Sequence, residues 1–243
     1  MTPVRQPHDS WAEAYDLAYE EEFGALYAEL TDLTLEVIAG LLPAGGSIVD
    51  FGAGTGRLAL PLARAGYRVT AVEPSPAMLE RLRRGDTAGQ VDCVHAAMQD
   101  FESSARFDLA ICVFTVVTYL LDEQALTAAM GAASRCLKSR GQLLADVPSR
   151  AVFASRSANT GRISREVTVQ PQARNAPLYR YEEHLTVESA GGTNSYRDVF
   201  TIRHWTREQV LAAALAAGLA LDKDLSHTFA GTGSEYLLLR KID

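Results

Sequence analysis

The sequence predicts an α/β fold: a doubly wound, mostly parallel sheet of seven strands, with an N-terminal helical lid and an antiparallel β cap inserted late in the chain. Three observations carry this expectation. Short apolar runs alternate with helix-compatible segments from residue 47 to residue 147, the pattern in which helices cover both faces of a parallel sheet. A loop with glycine on alternate positions, Gly52, Gly54 and Gly56, joins the first strand of the series to its first helix, as at the ligand crevices of such sheets. From residue 148 to residue 205 the helices drop out and strand-like runs follow one another, which reads as antiparallel sheet. The expected organisation is a lid at 1–44, a core at 45–147 and 206–243, and a cap at 148–205.

The N-terminal stretch 10–42 has helical periodicity. Leu33, Val37, Ile38, Leu41 and Leu42 recur at helix spacing, an acidic cluster (Glu20, Glu21, Glu22) separates two apolar-periodic pieces, and Pro43 with Gly45 and Gly46 ends the segment. Trp11, Tyr15, Tyr19 and Tyr27 lie near one stripe of this helix. Most of such a stripe is packing; the functional alternative is a lid whose aromatic faces lie against a cationic ligand, with Tyr15 and Tyr19 as its candidates.

The expected core strands are 47–51, 68–73, 91–95, 109–114 and 142–147. Helices are expected at 57–65, at 77–84 behind the Pro74-Ser75-Pro76 turn, and at 123–136. The cap strands are expected at 162–170, 178–189 and 195–204, separated by Gln-Ala-Arg-Asn-Ala-Pro and Ala-Gly-Gly-Thr-Asn turns. Thr206 then starts a helix at 207–217, followed by strands near 219–225 and 235–240.

Composition narrows the function. With 243 residues, 47% hydrophobic and 22% charged, the chain can bury a sizeable core and is not a disordered sequence. A formal net charge of −7 argues against nucleic acid as the main partner, since phosphate binding needs a surplus of Lys and Arg. Cys93, Cys112 and Cys136 form no C-x-x-C pair, and His8, His95, His184, His204 and His227 show no metal-ligand spacing, so neither a disulfide framework nor a metal centre is expected. Residues 1–10 lack the apolar core of a signal peptide, and the longest apolar stretch, 109–121, is interrupted by threonines and too short to span a bilayer as a helix. A cytoplasmic protein with no membrane partner is the expectation.

The glycine loop says more about the ligand. Without Cβ atoms its backbone can adopt positive φ and approach a ligand closely. A dinucleotide fingerprint would place its third glycine one residue later, where Arg57 stands. Glu73, ending the second strand, is placed to accept both hydroxyls of a ribose. Asp50-x-Gly52-x-Gly54-x-Gly56 together with Glu73 resembles the first two motifs of the class I S-adenosylmethionine-dependent methyltransferases. Tyr15-Asp16-Leu17-x-Tyr19, Phe114-Thr115-Val116-Val117-Thr118-Tyr119-Leu120 and Ile202-Arg203-His204-Trp205-Thr206-Arg207-Glu208 extend the likeness over nearly the whole chain. In these stretches it resembles small-molecule N-methyltransferases, notably those that dimethylate amino sugars of macrolides.

That resemblance implies a Rossmann-like core binding S-adenosyl-L-methionine, a small-molecule acceptor, most simply an amine, and a cap able to mediate a homodimer. It places Tyr15, Tyr19, Asp50, Gly52, Ala53, Gly54, Gly56, Glu73 and Pro74 around the cofactor, with Met78 against adenine and Phe114 packing on the methionine part. Relatives commonly carry Gly-Asp where Ala96 and Ala97 stand. Backbone at Ala97 and Met98 can still bracket the ring, but the carboxylate for the adenine amine must come from elsewhere. On the acceptor side it places Tyr119, where the relatives have histidine, Asp146 at the end of the fifth strand, and Arg203 in the cap exit. Methyl transfer needs no covalent enzyme intermediate; alignment of the reacting atoms supplies most of the gain, and Tyr119, His184 or His204 could assist as a base. Two competing readings are a non-catalytic module that binds S-adenosylmethionine, favoured by Ala97, and an NAD(P)-dependent oxidoreductase, disfavoured by the position of the third glycine.

Overall fold

The computed structural model describes residues 6–174, 176–189 and 191–242. Residues 1–5 of the expected lid, and Asn175 and Ala190 of the two expected cap turns, lie outside the described residues. A 3₁₀ turn at Asp9–Ala14 leads into α1 (Tyr15–Phe23) and α2 (Ala25–Leu41). The break between the two helices is Gly24, at φ 52°, ψ −128°, a region that only glycine occupies without strain. The core then alternates: β1 (Ser47–Phe51), α3 (Ala59–Arg64), β2 (Arg68–Glu73), α4 (Pro76–Gly85), β3 (Val91–His95), β4 (Phe107–Cys112), α5 (Glu123–Cys136) and β5 (Leu137–Pro148). Four strands follow: β6 (Arg156–Asn159), β7 (Ile163–Pro171), β8 (Leu178–Ser189) and β9 (Gly192–Arg203). The chain closes with α6 (Arg207–Ala216), β10 (Leu219–Asp224) and β11 (Ser234–Lys241).

Seven strands form one sheet in the order β10-β11-β5-β4-β1-β2-β3. The pairs from β5 to β3 are parallel, while β11 runs antiparallel to both of its neighbours. Strand order reverses between β1 and β4, so the crevice beyond their carboxyl ends is where such a sheet takes its ligand. The centre of the sheet is buried on both faces: β1 is buried at every position, polar Ser47 and Asp50 included. Val49 and Phe51 pack with Ala110 and Cys112 beneath α5 and α6, and Ile48 packs with Leu109 and Ile111 beneath α2 and α3, as the period of two dictates.

Helix starts follow local chemistry. Ser75 caps α4 by accepting the Met78 N–H at 3.1 Å, with Pro76 in the first turn. Asp122 caps α5 through Ala125 at 2.7 Å, and Thr206 with Gln209 forms a capping box on α6.

The second sheet, β6-β7-β8-β9, is antiparallel throughout. On its inner face Ile163, Leu185 and Val187 pack against Trp11, Ala14 and Ala18 of the N-terminal segment. Farther along, Val167, Val169, Tyr181 and Ile202 pack on Phe153. The expected cap had three strands; the fourth, β6, is a short polar edge paired to β7 from Arg156↔Val167 to Asn159↔Ser164. No helix among the described residues is long and apolar enough to cross a membrane.

Candidate functional site: the crevice above β1 and β4

A cavity of about 670 Å³ opens over the carboxyl ends of β1, β2 and β4 and runs between the N-terminal segment and the second sheet. Its floor is the glycine loop. Gly52, Gly54 and Gly56 all have positive φ, at 70°, 57° and 93°, but they do different work. A Cβ on Gly52 would strike the Val116 side chain at 2.5 Å, and one on Gly56 would strike Leu60 and Leu82 at 2.8 and 2.9 Å. Gly56 serves packing, while Gly52 both packs against Val116 and lines the cavity. A Cβ on Gly54 would meet nothing within 4 Å, and Gly54 lines the cavity. It is the position where a side chain would occupy the space a ligand needs.

Glu73 lies under this loop, 7% exposed, and borders the cavity. Its Oε2 accepts the Gly54 N–H at 2.9 Å and its Oε1 the Ser75 N–H at 2.8 Å. Burial pushes its pKa up to about 7, against the pull of these two N–H groups. Asp50, in β1 behind the loop, is likewise raised to about 7, by burial first and by the neighbouring Glu73 charge second.

Pro74, Met78, Ala97 and Met98 border the same end of the cavity. Gln99 and Asp100, in the 3₁₀ turn Met98–Asp100, also line it, next to Ala97. Asp50, Ala53 and Gly56 do not line the cavity; they hold the loop from behind.

The wall above β4 is backbone under constraint. Phe114 and Thr115 are consecutive left-handed residues, at φ 62° and 71°, a conformation that non-glycine residues hold only when neighbours impose it. The imposing group is Asp146, 1% exposed near the end of β5, whose Oδ1 and Oδ2 both accept the Thr115 N–H, at 3.1 and 3.2 Å. Burial raises the Asp146 pKa to about 7. Phe114, turned by this bend, forms one side of a sandwich: the Arg57 guanidinium sits 3.9 Å from its ring and 3.7 Å from that of Tyr27.

The aromatic stripe of the N-terminal segment divides. Trp11 is 1% exposed and stacks on Tyr15 and Tyr19 at centroid distances of 5.2 and 6.3 Å. Tyr15, Tyr19 and Tyr27 border the cavity. Hydrogen bonds tie the segment to the cavity floor. Thr55 donates to Asp16 at 2.6 Å, Ser75 to Asp9, and Arg81 and Arg84 to Glu13.

Tyr119 stands at the far end, with 37% of its surface accessible because its ring borders the cavity. Its hydroxyl lies 2.9 Å from His8 Nε2. Burial, with Tyr19, Tyr181 and Glu183 adding to it, holds the phenol pKa well above its usual value, so Tyr119 is a phenol at neutral pH and not a phenolate base. His8 is 7% exposed, and burial together with Arg165 and Arg156 lowers its pKa to about 3. The side-chain separation of His8 Nδ1 and Glu183 Oε2, 3.7 Å, is therefore a contact of a neutral imidazole with a carboxylate, not an ion pair.

Three more sequence candidates, besides Asp50, Ala53 and Gly56, are not brought to the cavity. His184 lies on the outer face of β8, its side chain 54% exposed and 3.3 Å from Glu182; its neighbours Glu183 and Leu185, 1% exposed each, face inward, and alternation sends His184 out. His204 packs behind Phe153 at 5.4 Å between ring centroids, and burial and Arg150 lower its pKa. Arg203 donates to the Leu121 carbonyl at 3.0 Å and covers the Trp205 ring at 3.8 Å, so it packs the cap exit and does not border the cavity.

Sequence reasoning missed His8, Arg57, Arg156, Tyr181 and Phe200, all of which border the cavity. It also missed the buried charges behind it: Arg165 Nε donates to Glu183 at 2.5 Å, Arg156 Nε to Glu22 at 2.8 Å, and a second Arg165 nitrogen to Glu22. Arg165 and Glu183 occupy inward positions in otherwise apolar alternation, the one signal that could have marked them.

With this geometry in view, residues 48–141 match the methyltransferase domain family. A protein named as a methyltransferase in Geobacillus sp. (strain WCH70) is 35% identical over 42% of this chain, and the chain spans 42% of that relative's length. The dTDP-3-amino-3,4,6-trideoxy-alpha-D-glucopyranose N,N-dimethyltransferase of Streptomyces venezuelae is 26% identical over 87% of this chain and 90% of its own. Among solved structures, CalS10 of Micromonospora echinaspora, described as an amino pentose methyltransferase with S-adenosylmethionine bound, superposes with a TM-score of 0.75 at 24% identity, covering 94% of this chain and 96% of that one. The chain carries a methyltransferase domain at residues 48–141 and has the fold of the S-adenosylmethionine-dependent methyltransferases.

Proposed function

We propose that the cavity binds S-adenosylmethionine and a small-molecule amine together, and that the chain transfers the methyl group to that nitrogen. The observation that carries this reading is the open face of Gly54 held over the buried Glu73 carboxylate. It leaves room for a nucleoside, with a carboxylate set to accept hydroxyl donors. Asp100 or Gln99 would take the adenine amine in place of the missing Asp at Ala97, and Met78 the ring face. Tyr15, Tyr19 and Phe114 offer aromatic surface to a cation.

When bound, the cofactor supplies a methyl group on a sulfonium, and displacement leaves the C–S electron pair on sulfur. The chain's own task is alignment and exclusion of water. Tyr119 and Asp146 border the acceptor space, and Phe153, Tyr181, Phe200 and Ile202 give it an aromatic and apolar wall. The likeness to aminosugar methyltransferases supports an amine on a compact, partly apolar body.

A homodimer through the free edge of β9 and a cytoplasmic site, where Cys93, Cys112 and Cys136 would stay as the free thiols the structure shows, belong to the same reading. Sedimentation velocity reads the first. Calorimetric titration with S-adenosylmethionine, S-adenosylhomocysteine and NADP tests the cofactor assignment. Binding of the first two is expected, and binding of the nicotinamide compound alone overturns it. Release of S-adenosylhomocysteine with an amine panel then tests catalysis.

A further inference from the structure

His8 is held with unusual care for a residue outside any regular element. It adopts φ 67°, its N–H donates to Asp198 Oδ2 at 2.6 Å, and its ring is enclosed by those of Trp11, Tyr15 and Phe200 at centroid distances of 5.1, 5.5 and 5.0 Å. One edge is different at each nitrogen. Nε2 meets the Tyr119 hydroxyl at 2.9 Å. Nδ1 has no hydrogen-bond partner among the described residues, nor has Glu183 Oε2, which lies 3.7 Å from it.

The charged and titratable groups facing this ring are Tyr119, Tyr15, Asp198, Glu183, Arg165 and Arg156. A neutral imidazole carries one N–H. Placing it on Nδ1 sets a positive hydrogen toward the Glu183 carboxylate; placing it on Nε2 would instead set the bare Nδ1 lone pair against that carboxylate, in a low-dielectric interior where the repulsion is costly. The bare nitrogen is therefore Nε2, and it accepts the Tyr119 O–H. With its hydrogen committed to His8, the Tyr119 oxygen offers only lone pairs to the cavity.

We propose that His8 is a positioning residue that makes Tyr119 a one-way hydrogen-bond acceptor, so that Tyr119 orients the amine by accepting its N–H. That hydrogen bond fixes the nitrogen's orientation and leaves its lone pair free for attack. An acceptor without an N–H cannot make this contact, so selection of N–H-bearing nitrogens follows from it. The proposal rests on the methyl-transfer reading and adds to it the residue that sets the direction of the Tyr119 hydrogen bond.

The test is long-range ¹H–¹⁵N NMR of the full chain labelled at histidine. One imidazole should show the neutral Nδ1–H tautomer at pH 7, and Tyr119→Phe should move its bare-nitrogen resonance while leaving the thermal midpoint within a few degrees. Glu183→Gln should shift that ring toward the Nε2–H form. A His8 found as Nε2–H or as imidazolium in the wild type overturns the proposal. Calorimetry with S-adenosylmethionine on the same sample separates the two failures. Cofactor binding with the wrong tautomer sinks only the role of His8, and absence of cofactor binding sinks the reading beneath it. In an amine screen each accepted nitrogen should carry an N–H. A quaternary product from a tertiary amine overturns the selection, as does a screen in which no N–H-bearing amine is turned over.

Discussion

The two walls of the cavity are built in opposite ways. The wall proposed for the cofactor is local: Gly54 and Glu73, nineteen positions apart, make its central hydrogen bond, and a single strand-loop-helix-strand passage places both. The wall proposed for the acceptor is assembled from afar. His8 reaches Tyr119 across 111 positions and Asp198 across 190, and Arg165 reaches Glu22 across 143. The first can be specified by backbone conformation and one carboxylate. The second depends on buried charges and rings brought together from distant parts of the chain.

If the acceptor wall is held by its buried charges, Arg165→Ala should be the most damaging change. It leaves Glu183 and Glu22 short of their cation, at a cost of about 3–5 kcal/mol in urea unfolding, while cofactor affinity of the folded chain stays within a few-fold of wild type. Equal losses of stability and cofactor affinity would abolish the distinction between the walls.

The cofactor wall carries a penalty of its own. Asp50 is raised from 3.8 to about 7, so between those values the folded chain keeps a proton that the unfolded chain has lost. Stability from this group therefore falls as pH rises through that window, and is fully lost above it. Asp50→Asn should flatten the decline between pH 5 and pH 8 by roughly 2–4 kcal/mol, read by urea unfolding at both values. A decline as steep as in the wild type would place the effect elsewhere, with Asp146 as the next group to replace.

Gly54→Val places a β-branched residue at φ 57° and should cost about 1–3 kcal/mol of stability, and it should lower the S-adenosylmethionine affinity of the folded chain at least about 100-fold by calorimetry. Glu73→Gln, which keeps shape and removes charge, should weaken it by about 1–3 kcal/mol. The smallest effect belongs to neither wall: Asp122→Ala, which uncaps α5, should cost about 1 kcal/mol of stability and leave both binding functions alone.

What the sequence made legible follows the same division. The central parallel strands β1 and β4 were apparent because they are largely apolar and buried on both faces, and the glycine loop because its spacing is rare. Boundaries moved where local geometry overrode the pattern. α3 begins at Ala59, two residues after the expected Arg57, because residues 53–58 are still turning. β5 begins at Leu137 and not near Gln142, with left-handed Arg140 and a shift in its pairing with β4 absorbing the polar stretch between. β6 escaped notice because Arg156-Ser157-Ala158-Asn159 has no apolar face of its own. His184 was a histidine on a promising strand with the wrong parity. His8 was one residue in a stretch without period, and only its partners, distant in the chain, give it a role.

Residues 9–22 touch both walls: Asp9, Glu13 and Asp16 bond to the floor around Thr55, Ser75 and α4, and Glu21 and Glu22 bond to Arg162, Arg156 and Arg165 of the second sheet. One short passage of chain thus serves as hinge pin and doorframe at once. Under the proposed function, loosening it to exchange a spent nucleoside would also slacken the chamber beside it, so that the two reaction products would share a single opening.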